Sequence, residues 1–305
     1  MAAVIRTEKL TKYYGSHRGI VEVDLAVEKG EVFGFLGPNG AGKTTTIRVL
    51  LDLIRPTSGK AYVFDIESSA DPSAIHRRIG YLPGEFTLYD RLTGSQTLEY
   101  FGNLRGGVDR AYQASLIERF DLDPSRRYRE YSKGNKQKVG LVAALQHRPE
   151  LLMLDEPTAG LDPLVQQTFF ATLHEAVKDG ATVFLSSHIL SEVEKSCGRV
   201  AIIREGRIVQ VGAVEALRDL AHHQVELRFA GDPPVSDFAT LPGVSDLAVE
   251  NHLLRMRVLG SIAPVVEAAA RAGVVDFLSR EPSLEETFLA QYGRESAEAP
   301  AGEVK

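Results

Sequence analysis

Cysteine is almost missing from the chain: there is one, Cys197, in 305 residues. A single thiol excludes an internal disulfide and has no neighbours with which to build a metal site, so the chain fits a reducing cytoplasm. Long apolar runs are missing as well. No segment reaches the roughly 18 consecutive apolar residues of a membrane-spanning helix, and Met1 to Glu8 lacks the apolar run of a signal peptide. If the protein works at a membrane, another chain carries it there. Positive charge is in deficit: the formal net charge is −6, which argues against a broad nucleic-acid surface. Internal repeats, long low-complexity tracts and sustained heptads are also lacking. What is left, 44% hydrophobic and 25% charged residues, is ordinary for a soluble globular protein, and 305 positions leave room for two domains.

Against this background one stretch carries chemistry by itself: Gly37-Pro38-Asn39-Gly40-Ala41-Gly42-Lys43-Thr44-Thr45. It fits G-x-x-x-x-G-K-[ST]. The apolar run Glu31 to Leu36 precedes it as a buried strand, and a helical stretch from Thr45 to Leu50 follows it. Strand, glycine loop and helix form the context that separates a phosphate loop from a chance match. The glycines let backbone N–H groups converge on the β- and γ-phosphates, and the helix N-terminus adds partial positive charge. Lys43 reaches the β/γ oxygens, and the Thr44 hydroxyl ligates Mg²⁺. The stretch binds a nucleoside triphosphate.

Residues 4–10 and 19–28 alternate apolar and polar, as antiparallel strands with one wet face do. Tyr13-Tyr14-Gly15 between them reads as a turn, as does Pro56 to Gly59 further on. Short strands follow at 61–64 and 79–82, the second broken by Pro83-Gly84. Thr93 is expected to cap a helix whose Leu98, Phe101 and Leu104 share a face, and a second helix over 110–121 turns Leu116, Ile117 and Phe120 inward. Strand signals at 151–154, 182–185 and 200–203 alternate with helices near 134–146, 163–178 and 190–196. Such alternation implies a mostly parallel sheet covered on both faces. The helical segment, about 86–146, reads as an inserted subdomain of a nucleotide-binding domain over 1–220.

The pattern resets after about 222. A strand at 225–229, a short helix from Val235 to Leu241, a hairpin across Asn251-His252, a helix at 262–272 and a strand at 274–278 follow. The order β-α-β-β-α-β is the ferredoxin-like arrangement. Glu281 to Tyr292 adds a closing helix, capped by Ser283 with Glu286 three residues on. This gives an accessory domain over 223–292 and an Ala-, Glu- and Gly-rich tail, 293–305, expected to be disordered.

Leu151 to Leu154 followed by Asp155-Glu156 supplies the second half of an ATPase site. Asp155 would hold Mg²⁺ through water, and Glu156 would polarise the attacking water. Three further pieces stand in order. Ser132-Lys133-Gly134 opens a helix and can present donors at its N-terminus; alone it is equally a capped helix. Gly160-Leu161-Asp162-Pro163 opens the next helix, and Ser186-Ser187-His188 ends a strand.

Together these motifs resemble the nucleotide-binding subunit of ATP-binding cassette (ABC) transporters over roughly residues 4–220. The resemblance implies an α/β P-loop NTPase core with antiparallel and helical subdomains, beside the small α+β C-terminal domain. It implies that Tyr14 stacks on adenine, and that Ser132 and Gly134 contact the γ-phosphate bound to the opposite subunit. It implies that Asp162 couples two sites across a dimer, and that His188 is a switch on the γ-phosphate. ATP and Mg²⁺ are then the ligands. The partners are a transmembrane permease and a second nucleotide-binding subunit, identical or not, with no nucleic acid. The place of work is the cytoplasmic face of the membrane, as a peripheral subunit.

Two positions depart from the family pattern. Gln usually follows the strand that ends at Pro83; here Gly84 stands there, followed by Glu85, so either Glu85 or water completes the Mg²⁺ shell. Lys133 and Asn135 stand where Gly and Gln are commoner, while Ser132 and Gly134 are kept. Glu281 to Leu289 looks like the ending of subunits that serve ABC-2 type drug, antibiotic and polysaccharide exporters. Export is therefore the leading expectation. An importer subunit shares every ATP motif. A soluble ABC protein acting on ribosomes or DNA would bring a second cassette, coiled coils or a basic stripe, and this chain has none of them.

Overall fold

A computed structural model describes residues 3–87, 89–219 and 222–280. They form two compact units, divided between Gly212 and Ala213. The first unit opens on a hairpin of β1 (Ala3–Tyr14) and β2 (His17–Glu28). Then come β3 (Val32–Leu36), α1 (Lys43–Leu50), β4 (Ser58–Val63), β5 (Ile66–Glu67), α2 (Pro72–Arg77) and β6 (Ile79–Leu82). Three helices follow, α3 (Gly94–Leu104), α4 (Arg110–Arg119) and α5 (Lys133–Leu145). The unit closes with β7 (Leu151–Asp155), α6 (Pro163–Lys178), β8 (Thr182–Ser187), α7 (Leu190–Ser196), β9 (Arg199–Arg204) and β10 (Arg207–Ala213).

Two sheets organise this unit: an antiparallel one ordered β2-β1-β4-β5, and a six-stranded one ordered β10-β9-β3-β8-β7-β6. In the second, β3 pairs in parallel with β8 and β9, and β7 with β6 and β8. Every residue of β3, β7 and β8 is buried. This is why those segments read as unbroken apolar runs rather than as alternations. Phe33 stacks on Phe184 at 6.1 Å, and one core joins both sheets through Ile47 and Leu50 of α1.

Local sequence accounts for the helix boundaries. Thr93 accepts from Gln96 N (3.2 Å) while Gln96 Oε1 accepts from Thr93 N (2.9 Å), so the two satisfy each other's free donors. Asp162 accepts from the N–H groups of Leu164 and Val165, with Pro163 as the first helical residue of α6.

Several expectations shift. Tyr13 and Tyr14 belong to β1 and pair with Arg18 and His17, so the turn is Gly15-Ser16. The alternation stops early in the sequence because bulges interrupt it: Lys9 and Glu22 take left-handed backbones (φ 44° and 49°) where the register slips. Ser58 and Gly59 belong to β4 instead of a turn. Leu98 is buried, but Leu104, at the end of α3, is 63% exposed because the chain leaves at Gly106-Gly107.

The second unit comprises α8 (Val214–Asp219), β11 (His222–Arg228), α9 (Val235–Ala239), β12 (Val244–Glu250), β13 (Leu253–Leu259), α10 (Ala263–Arg271) and β14 (Asp276–Arg280). The sheet order is β12-β13-β11-β14, with each pairing antiparallel. One face buries Val225, Leu227, Leu254 and Met256 with Phe238 and Val265 from the helices. The other carries ion pairs from Arg255 to Glu226 and Glu250. β14 starts two residues later than the apolar run Val274-Val275 implied, leaving Val275 66% exposed. The expected closing helix and tail beyond Arg280 lie outside the described residues.

The core tolerates little at the junction of β6 with α5. A Cβ at Gly80 would stand 2.1 Å from Ala144 O, a backbone atom that cannot swing aside. Gly80→Ala should therefore cost about 2–3 kcal/mol of stability, read as a lowered denaturant midpoint.

Candidate nucleotide-binding and catalytic site

The glycine loop leaves β3 and enters α1 through a passage too narrow for side chains. A Cβ at Gly37 would lie 2.3 Å from Ile203 O, and one at Gly42 would lie 2.6 Å from Ile20 Cγ2. Gly40 and Gly42 have φ of 79° and 112°, where glycine alone is unstrained. Gly37 N–H donates to Ser187 O (3.2 Å), and Ala41 O accepts from Gly206 N (2.8 Å). Asn39 and Gly40 are exposed at the tip. No side chain caps α1, so its N-terminus faces the loop with its own amides. A loop from which Cβ atoms are excluded, ending on an uncapped helix, suits a polyphosphate. Lys43, 5% exposed, donates to Gly37 O (2.6 Å) and Pro38 O (3.2 Å).

The acidic half of the site is placed by strand register. Parallel pairing sets Leu36 beside Ser187 and Asp155 beside Ser186, so three strands end at one level. Asp155, 1% exposed, accepts from Thr44 Oγ1 at Oδ2 (2.7 Å) and from Ser186 Oγ at Oδ1. The next residue turns sharply: Glu156 holds φ at 50°, a left-handed backbone unusual for a non-glycine residue and typical of functional positions. Its N–H is held by Ser186 O (3.2 Å).

The Glu156 carboxylate thus sits between two basic groups. His188 Nδ1 lies 2.7 Å from Oε2. A carboxylate only accepts, so Nδ1 carries the proton. The Lys43 ammonium lies 3.2 Å from Oε1 as an ionic contact. Two of the three ammonium protons are taken by the Gly37 and Pro38 carbonyls.

The other expected residues distribute as follows. Tyr14 is 43% exposed beside the loop, with its hydroxyl 3.4 Å from Thr45 Oγ1. Ser132 caps α5 by accepting from Asn135 N (3.3 Å) and is exposed. Gly134 packs under the Gly160 turn, where a Cβ would meet Gly160 O at 2.4 Å. Asp162 caps α6. Thr44 and Asp155 come together as a pair of hard oxygen donors, a set that fits Mg²⁺. Glu85 does not join them: it is exposed, and among the described residues no three His, Cys, Asp or Glu side chains gather as a metal site. Gly84 faces the pair instead, where a Cβ would stand 3.2 Å from Asp155 Oδ2.

Two contributors escaped the sequence reading. Ser186 fixes Asp155 and was visible only as part of a strand ending. Gln137, 4% exposed, donates from α5 to the carbonyls of Glu156 (3.3 Å) and Pro157 (3.0 Å). Its one signal was a polar residue at an inward position of a helix.

The ABC transporter family matches residues 20–159 of this chain. The daunorubicin resistance ATP-binding protein DrrA3 of Streptomyces coeruleorubidus is 36% identical over 300 residues, covering 93% of this chain and 94% of that one. The bacitracin transport ATP-binding protein BcrA of Enterococcus faecalis is 38% identical over 216 residues, covering 69% of each chain. A solved ATP-binding subunit of an ABC transporter shares the fold with a TM-score of 0.66 at 30% identity, covering 70% of this chain and 92% of that one. With its phosphate loop, its paired carboxylates and relatives alike along nearly its whole length, the chain belongs to the ABC transporter family and is an ATPase.

Proposed function

We propose that this ATPase is the nucleotide-binding subunit that powers export of a small molecule or drug through a separate transmembrane subunit. The observation that carries the hydrolytic reading is the Glu156 carboxylate held between Lys43 and His188 at the mouth of the glycine loop. The likeness to a daunorubicin resistance protein over 93% of the chain supports export. It runs past the cassette into the second unit, which an ATP site common to all such proteins would not require.

The phosphates of ATP rest on the loop amides, and Lys43 turns from the Gly37 and Pro38 carbonyls to the β/γ oxygens. Thr44 and Asp155 would hold Mg²⁺, which when bound draws charge from the transferring phosphoryl group. Glu156 takes the proton of the attacking water, while His188 fixes the other carboxylate oxygen. Tyr14 stacks on adenine. Ser132 and the Gly134 amide of a second subunit close over the γ-phosphate, and Asp162 links the two sites in a head-to-tail dimer, homomeric in the simpler case.

No helix among the described residues is long and apolar enough to cross a membrane. This reading assigns the pathway to the partner and puts this subunit at the cytoplasmic face. The helical insertion offers a docking surface there. Tyr89 (66% exposed) and Tyr100 (45% exposed) pack edge to face at 6.4 Å beside Phe101 and Phe86, close to the Gly84-Glu85 loop.

Glu156→Gln should lower kcat by at least about 100-fold while ATP binds with unchanged affinity and traps a dimer visible by light scattering. Lys43→Ala should weaken ATP binding by at least about tenfold, measured by equilibrium titration. Gentle detergent extraction of the tagged chain should bring down a polytopic membrane protein in fixed ratio. Recovery of ribosomes or nucleic acid in its place would refute the transporter assignment and leave the ATPase chemistry standing.

A further inference from the structure

A buried carboxylate lies behind the catalytic face and is not used in the chemistry above. Glu192, in the first turn of α7, is 5% exposed. Its Oε1 accepts from Thr158 Oγ1 (2.6 Å) and its Oε2 from Ser187 Oγ (2.8 Å). Thr158 stands two residues after Glu156, and Ser187 directly precedes His188. The Ser187 oxygen in turn accepts from Ile189 N (2.9 Å), so the backbone on both sides of His188 is tied to one hydroxyl. α7 itself is held fast against β3, where a Cβ at Gly34 would meet Val193 at 2.7 Å.

A carboxylate buried on two neutral hydroxyls is poorly compensated for its lost water, and an apolar side chain would fill the same space at lower cost. What the carboxylate adds is geometry: two strong, directional acceptors that lock one hydroxyl on each side. We propose that Glu192 is a positioning residue for hydrolysis, a buried clamp that holds the segment after Glu156 and the segment bearing His188 in mutual register. The Glu156–His188 contact of 2.7 Å depends on that register. Glutamine at 192 would keep the volume but replace one acceptor by an N–H donor facing a hydroxyl proton. Valine at 158 would keep the shape and remove the hydroxyl, and serine would restore it.

The inference rests on Glu156 and His188 being the hydrolytic pair, and Glu156→Gln tests that pair separately. The full-length chain carrying Thr158→Val, Thr158→Ser or Glu192→Gln is compared with wild type for kcat, ATP affinity, melting temperature and the His188 ring resonances. Those resonances are read by NMR of histidine-labelled protein and assigned by their loss in His188→Ala. Thr158→Val and Glu192→Gln should each lower kcat by about tenfold or more and shift the His188 resonances, with ATP affinity within about twofold of wild type. Thr158→Ser should recover both. The clamp is overturned if the His188 resonances stay in place in a folded Thr158→Val protein, or if kcat stays at the wild-type level while Glu156→Gln abolishes it. If Glu156→Gln retains turnover, the catalytic assignment falls, and the His188 resonances alone decide whether the clamp exists.

Discussion

The site depends on the register of three parallel strands. Gly37 follows β3, Glu156 follows β7 and His188 follows β8, and each of these strands stops at the same level of the sheet. A shift of one residue in any of them would turn the inward side chains to the opposite face and separate a carboxylate from its hydroxyl. Register in a sheet buried on both faces is set by packing, here by the Phe33, Phe35 and Phe184 cluster. Apolar side chains below the site therefore determine where its polar groups stand.

On that platform the connections between parts are made by short polar links. Gln137 ties the start of α5 to backbone carbonyls after β7, and Ser186 ties β8 to Asp155. The left-handed backbone at Glu156 belongs to the same design. It redirects the carboxylate out of the strand toward Lys43 and His188, and the hydrogen bond from its N–H to Ser186 holds the strained turn in place.

Much of this is legible in the residues themselves. Glycine spacing, the acid pair after four apolar residues and the capping residues Thr93 and Asp162 each state a local requirement that the structure meets locally. Long-range requirements are what the sequence conceals. Nothing near Gln137 or Ser186 shows that its partner lies about β7 or in Asp155, because those contacts exist only once the sheet is assembled. The early end foreseen for the first strand has a related cause: bulges at Lys9 and Glu22 break the two-residue period while the pairing continues to Tyr14. Glu85 shows the limit of reading by position. It is adjacent to the departure at Gly84, yet it is Gly84 that lies against Asp155.

The solitary thiol has a practical meaning. Cys197 is 8% exposed beside Gly34, and burial pushes its pKa up to about 12, so almost none of it is thiolate at neutral pH. The wild-type chain is therefore a ready background for site-specific labelling. A cysteine placed on the exposed rim of α6 or of the helical insertion would be the only fast-reacting sulfur, and distances between paired probes could be read without first removing a native residue.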